Sequence, residues 1–210
     1  GKKKTLIAST SEVYGKSNKI PFGDDDDRTL GSTRIHRWSY SQTKALDEFL
    51  AFAYYREKRL PVVVARLFNT CGPRQTGDYG MVLPRFVKSA LLEHPITIFG
   101  DGKQTRCFTD VDDATGAMLK LMASPRTVGD MFNIGHHERV TINELARRVK
   151  AVTRSKSEIV RIAYEKAYEK GFEDMRHRIP DLSKIRKAVG WKPKISLNEI
   201  IRRVITYHEQ

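Results

Sequence analysis

Pro61-Val62-Val63-Val64-Ala65-Arg66-Leu67 is the stretch that most narrows what this chain can become. A strand wet on one face alternates apolar and polar residues. A continuous β-branched run instead predicts a strand buried on both faces, which is the habit of a parallel sheet. Upstream, residues 39–59 carry Leu46, Phe49, Leu50, Ala53 and Tyr54 at three- and four-residue spacing, which predicts a helix. Ahead of that helix, residues 5–9 form another short apolar run. Strand, long helix, strand reads as a right-handed crossover, so the fold class is α/β.

Downstream, a helix is expected over 81–93, with Pro84 tolerable in its first turn, and a strand over 96–99 closed by Gly100-Asp101-Gly102. A further helix follows Asp110, Asp112 and Asp113, whose charges suit its positive end better than a metal. Strands are expected near 131–135 and 158–162, and a short helix over 182–189 stopped by Gly190. Thr141-Ile142-Asn143-Glu144 and Ser196-Leu197-Asn198-Glu199 are capping boxes for two more helices. Residues 18–37 read as a solvated loop, and 164–178 as irregular. The acidic run Asp24–Asp27 lacks the alternating ligands and sharp glycine turn of a calcium loop, so no metal site is expected.

The 210 residues are 40% hydrophobic and 30% charged, enough for one large or two small domains. No apolar run approaches the roughly 18 residues of a membrane span, so no membrane partner is expected. Two cysteines, Cys71 and Cys107, in no metal-like spacing suit a reduced, cytoplasmic protein. The net charge is +13, and from Arg139 onward 18 Lys and Arg face 9 Asp and Glu. Such a balance suits an anionic partner. That partner could be nucleic acid, a membrane surface or a phosphate-bearing small molecule, and the charge alone does not choose; spread along helices without interleaved stacking aromatics, the basic residues read mostly as solvated faces, with a few selected for anion binding.

Chemistry points to Ser39-Tyr40-Ser41-Gln42-Thr43-Lys44. Four residues apart on a helix, Tyr40 and Lys44 share one face. A phenol beside an ammonium is suited to exchanging a proton with a substrate hydroxyl. The hydroxyl-rich Ser9-Thr10-Ser11-Glu12-Val13-Tyr14-Gly15 comes after the first strand, where open α/β sheets place their sites.

Taken together, several stretches resemble the extended short-chain dehydrogenase/reductase family, in particular its NAD-dependent nucleotide-sugar epimerases, dehydratases and decarboxylases. They are residues 9–15, Tyr40-Ser41-Gln42-Thr43-Lys44, residues 66–74, Phe99-Gly100-Asp101-Gly102 through Arg106, Phe132-Asn133-Ile134-Gly135, and Arg178-Ile179-Pro180-Asp181. The resemblance implies the C-terminal part of a Rossmann-like parallel sheet over 1–72, with a smaller α/β substrate-binding domain over 73–210 from which about 107–135 returns to the sheet. It implies that Tyr40 takes the proton of a sugar 4-hydroxyl as hydride passes to NAD. Lys44 would hold the nicotinamide ribose, Ser9 would touch the cofactor, and Thr10 would steady the hydroxyl. Ser11 and Glu12 would steer the fate of the 4-keto sugar. Asn69, Val82, Arg85, Ile98, Phe99, Arg106 and Arg178 would hold the nucleotide diphosphate sugar, a UDP-sugar being the first expectation.

In the family's dTDP-glucose dehydratases an Asp-Glu pair stands where Ser11-Glu12 stands here; Ser-Glu looks more like UDP-glucuronate decarboxylases and some other dehydratases. Gln75-Thr76-Gly77-Asp78-Tyr79-Gly80-Met81-Val82 also resembles sugar epimerases, so epimerase, dehydratase and decarboxylase stay open at this point. The family's glycine-rich dinucleotide turn does not occur in these residues. At roughly 30 residues per βα repeat, about 100 residues of the family pattern would precede them, including part of a homodimer interface. A non-catalytic binder is the competing reading; loss of Tyr40 or Lys44 would favour it, and both are present.

Overall fold

The run around Val62 is the middle of a parallel sheet. In the computed structural model, which describes residues 1–78, 81–167 and 173–209, strand β2 (Val62–Leu67) lies between β1 (Thr5–Thr10) and β7 (Asp130–Ile134). Val62 and Val64 pack on one side with Ala51, while Val63 and Ala65 pack on the other with Ala117, Leu121 and Phe132. Burial on both faces is why the run lacks alternation.

Helix α1 (Ser39–Lys58) covers the first face, and α3 (Val111–Ala123) with α6 (Ser183–Val189) the second. The remaining strands, β3 (Thr70–Cys71), β4 (Ile96–Phe99), β5 (Thr105–Cys107), β6 (Thr109–Asp110), β8 (Arg139–Thr141), β9 (Ile159–Ile162) and β10 (His177–Arg178), form the small sheets β10-β5-β8, β3-β6 and β4-β9. Helices α2 (Val82–Leu91), α4 (Ile142–Thr153) and α7 (Leu197–His208) pack a second apolar core around Phe86, Ile96, Leu145 and Ile200; α5 (Tyr164–Ala167) is a single turn. Both capping boxes form their Thr or Ser cap. Thr141 Oγ1 accepts from Glu144 N at 3.0 Å, and Ser196 Oγ accepts from Glu199 N at 3.3 Å.

The packing face of α1, which the spacing left undetermined, is a finding of the structure, and one expectation needs correction. The apolar residues that revealed α1 do not face the sheet: Leu46, Phe49, Leu50 and Tyr54 are 57%, 65%, 51% and 54% exposed. The buried face carries Ser41, Ala45, Glu48 and Ala51. Small residues let the helix lie close to the sheet, and Glu48 enters because it meets a buried Arg66 at 2.6 Å.

The loop over 18–37 is not simply solvated. Phe22 is fully buried, stacks on Tyr14 at 4.6 Å, and bridges to the other side of the molecule through Phe22 N to Ile179 O (2.7 Å) and Asp181 N to Phe22 O (2.8 Å). Asp24 turns inward as well, and its Oδ1 accepts from Asn133 N at 2.5 Å. Burial is the main force on this carboxyl and raises its pKa from 3.8 to about 6, against the hydrogen bond from Asn133 and the charge of Lys184. Because the folded value lies above the unfolded one, the folded state holds the proton more tightly. Stability therefore falls as pH rises from about 4 to about 6 and stays reduced above that. Asp24→Asn keeps the acceptor and removes the charge. It should raise the melting temperature at pH 7 and flatten its pH dependence between 4 and 6, by an amount on the order of 2–3 kcal/mol. Thermal unfolding across pH checks this.

Candidate active site

The site forms where β1 and β2 end, the usual position in a parallel α/β sheet. β1 runs out at Thr10, and residues Ser11–Tyr14 turn into a buried 3-10 helix capped by Thr10 Oγ1, which accepts from Glu12 N at 3.3 Å. Ser41 Oγ in the first turn of α1 donates to Glu12 O at 2.8 Å. This bond ties the start of the tyrosine helix to the hydroxyl-rich turn.

Tyr40 lies in that first turn, 53% exposed, and makes no hydrogen bond among the described residues. Lys44 is one turn along the same face; its Nζ pairs with Asp47 Oδ2 at 2.7 Å. Ser9 Oγ is directed to Glu48 Oε1. Glu48 in turn holds Arg66 through two bonds of 2.8 and 2.6 Å. Arg66 also donates to Tyr14 Oη at 2.9 Å and to Asp24 O at 2.6 Å. Burial opposes the charge on Arg66, but its bonds to Glu48 and Tyr14 prevail and hold its pKa above the ordinary arginine value. The same burial pushes the Tyr14 phenol up to about 12, keeping it neutral and able to donate to Asn133 Oδ1 at 2.8 Å. This buried network links β1, α1 and β2 through Ser9, Glu48 and Arg66.

Glu12 is almost fully buried and receives two guanidinium groups. Arg178 NH1 pairs with Oε1 at 2.5 Å, and Arg37 NH2 pairs with Oε2 at 2.6 Å. Arg178 comes from β10, which lies parallel to β5 and places it beside Arg106. Arg178 Nε is buried without a hydrogen-bond partner among the described residues. Burial is the chief cause that lowers the Arg178 pKa to about 10; Glu12 opposes the shift, and the charges of Arg106 and Arg37 add to it. Arg106 donates to Thr105 O (2.9 Å), Met175 O (2.8 Å) and Asp174 Oδ1 (3.1 Å). Asp174 also accepts from Tyr164 Oη at 3.0 Å.

Asn69 lies just past β2 with φ of +36°, a left-handed conformation that asparagine tolerates better than most residues. Its Nδ2 donates to Cys107 O at 2.9 Å. Val82 opens α2; Arg85, one turn on, lies over the Phe99 ring at 4.6 Å, and Ile98 is buried in the β4 core. The epimerase-like stretch 75–82 crosses residues 79–80, which lie outside the described residues.

The structure therefore brings Thr10, Ser11 and Glu12 together with the start of the tyrosine helix, and Arg106 together with Arg178. Val82, Arg85 and Phe99 form a separate flank. Sequence reasoning missed Arg37, Asp174 and the Glu48–Arg66 pair. Arg37 had a usable signal, since it precedes Tyr40 by about one turn. Asp174 had none, because its partner is remote in the chain.

Residues 1–204 match the family model described as GDP-mannose 4,6 dehydratase. The chain is 41% identical over 211 residues to the UDP-N-acetyl-alpha-D-glucosaminuronate decarboxylase of Bacillus cytotoxicus, covering all of this chain and 65% of that protein. It is 37% identical to UDP-glucuronic acid decarboxylase 1 of Arabidopsis thaliana, over 96% of this chain and 44% of that one. Among solved structures, the UDP-glucose 4-epimerase of Thermotoga maritima with UDP-glucose superposes with a TM-score of 0.86 at 31% identity, covering 99% of this chain and 63% of that one. The UDP-glucuronic acid 4-epimerase of Bacillus cereus in complex with NAD does so with a TM-score of 0.84 at 27% identity, covering 99% and 61%. The chain thus spans less than two thirds of the length of these relatives.

Proposed function

The chain belongs to the GDP-mannose 4,6-dehydratase family, within the extended short-chain dehydrogenases/reductases, and we propose from this that it forms the catalytic portion of an NAD-dependent enzyme that decarboxylates a UDP-uronate through a 4-keto sugar. The observation that carries this reading is the double guanidinium clamp on Glu12 beside the start of the tyrosine helix.

Three reactions share a 4-keto intermediate. A dehydratase needs a free carboxylate to remove the proton at sugar C5, whereas both oxygens of Glu12 lie in ion pairs with arginines, Oε2 without accepting a hydrogen bond among the described residues. An epimerase must let the keto sugar turn over and needs no group that assists breaking of the C5–C6 bond. Decarboxylation needs the substrate carboxylate held beside a ketone. The C5–C6 bond then breaks, carbon dioxide leaves, and the electron pair passes to the 4-oxygen until C5 takes a proton. Arg37 and Arg178 offer one more positive charge than Glu12 neutralises, which suits such a carboxylate.

Tyr40 accepts the proton of the 4-hydroxyl and later returns it. Thr10 donates a hydrogen bond to the developing oxyanion. Arg106 and Asn69 face the diphosphate, with Val82, Arg85, Ile98 and Phe99 toward the nucleotide. The donor set of Tyr40, Lys44 and Ser9 at the end of β1 fits the nicotinamide-ribose end of NAD, for which Lys44 would exchange Asp47 for the ribose. NAD, when bound, supplies the hydride acceptor and donor at C4. In this reading residues 1–72 belong to the cofactor domain and 73–210 mainly to the sugar-nucleotide domain, with about 107–135 returning to the sheet. The full-length protein is cytoplasmic and pairs with a second copy; the outward stripe of Leu46, Phe49, Leu50 and Tyr54 supports pairing.

The test incubates the full-length protein with NAD and, separately, UDP-glucuronate, UDP-glucose and dTDP-glucose, reading products by mass. Loss of carbon dioxide from UDP-glucuronate alone is the expected result. Loss of water from either glucose nucleotide, or isomerisation without mass change, would replace this reading with dehydration or epimerisation.

A further inference from the structure

Arg37 stands apart from the other cations of the site. Arg106 spends three of its N–H groups on one carboxylate and two backbone carbonyls. Arg178 lies mostly inside the protein, its side chain 13% exposed, and is bound through NH1 to Glu12. Arg37 is also drawn inward, with a side chain only 17% exposed, yet among the described residues its one polar partner is a single oxygen of Glu12. A guanidinium carries five N–H donors in a fork shaped for two carboxylate oxygens, so most of its capacity is unspent. Its guanidinium carbon lies 5.5 Å from the centroid of the Trp38 ring, a cation–π contact that helps to place it. Trp38 is itself pinned, its Nε1 donating to Glu173 at 2.8 Å.

Charge balance leads to the same residue. Arg37, Arg106 and Arg178 face Glu12 and Asp174, which leaves this enclosed group one negative charge short. A buried excess charge is costly until a ligand supplies its partner. The short 3-10 turn His36–Trp38 runs directly into α1, so Arg37 and Tyr40 stand three residues apart where the tyrosine helix begins.

We propose that Arg37 is the specificity-determining residue for the carboxylate of the sugar. It swings its unspent N–H groups onto the uronate while Glu12 stays with Arg178, and so makes the site prefer a uronate over the neutral sugar on the same nucleotide. This rests on the uronate reading given above.

The test measures binding, not turnover, by calorimetry on the NAD-loaded full-length protein in a Tyr40→Phe background. UDP-glucuronate, UDP-glucose and UDP are the probes. The parent should bind UDP-glucuronate about tenfold or more tighter than UDP-glucose, in line with a charge-assisted pair. Adding Arg37→Gln should bring the uronate to within about twofold of UDP-glucose and leave UDP-glucose itself unchanged. Arg37→Lys, which keeps the charge without the fork, should fall between. A preference that survives Arg37→Gln would overturn the proposal and assign the carboxylate to Arg178. Equal loss for both sugars would overturn it too, making Arg37 a support for Glu12 only. A parent that binds UDP but does not favour the uronate would instead sink the uronate reading, and one that binds no nucleotide would sink the sugar-nucleotide reading as a whole.

Discussion

Tyr40→Phe should lower turnover by about 10²–10⁴-fold while leaving the fold intact. The magnitude is that of losing a positioned general acid–base group. Retention of the fold comes from position: Tyr40 is 53% exposed and makes no hydrogen bond among the described residues, so removing its hydroxyl leaves no buried group unpaired. The assay is product formation by the full-length protein with NAD and UDP-glucuronate, beside thermal unfolding. A variant within a few-fold of the parent would remove Tyr40 from the chemistry. A variant with an equally large fall in melting temperature would show that the phenol is structural. Its neighbour Lys44 pairs with Asp47, which sets the Nζ that a ribose would have to draw away.

Glu48→Ala should cost about 3–5 kcal/mol of stability, the typical penalty for leaving a buried charge without its partner. Arg66 is 3% exposed, and Glu48 supplies both of its charge-assisted bonds, at 2.8 and 2.6 Å. What remains for Arg66 is Tyr14 Oη and Asp24 O, both neutral acceptors. Ser9 loses its acceptor in the same step. For a chain of this length the melting temperature should fall by roughly 10 °C. The double variant Glu48→Met with Arg66→Met should cost less than Glu48→Ala alone, because no charge is then stranded. A double variant that costs more would mean that shape at this position matters beyond its charge.

Much of the fold was legible because it is locally encoded. The run Val62–Leu67 announced a central strand through its lack of alternation, and that strand is buried on both faces. Thr141 and Ser196 announced helix starts through cap chemistry that acts over three residues, and both caps form. Gly190 marked a helix end that needs a left-handed residue, and it has φ of +63°. Strands of two or three residues, such as β3, β6 and β10, were not legible, since so short a segment has no period to read.

The candidate site divides along the same line. The sequence by itself determined which residues have reactive groups and which of them share a helix face, because Tyr40 and Lys44 are set by a repeat of the backbone. It did not determine which face of that helix is buried. Periodicity showed an apolar stripe, yet packing turned it outward and put Ser41, Ala45 and Glu48 against the sheet, because Arg66 on the neighbouring strand required a buried anion. Nor did it determine the meeting of Arg37 and Arg178 on Glu12. Those three come from a 3-10 turn, a two-residue strand and a second 3-10 turn far apart in the chain, and an ion pair between remote residues leaves no periodic trace. Only the tertiary structure, by closing β10 against β5 and the loop at Phe22 against Ile179, brings the two guanidiniums to one carboxylate.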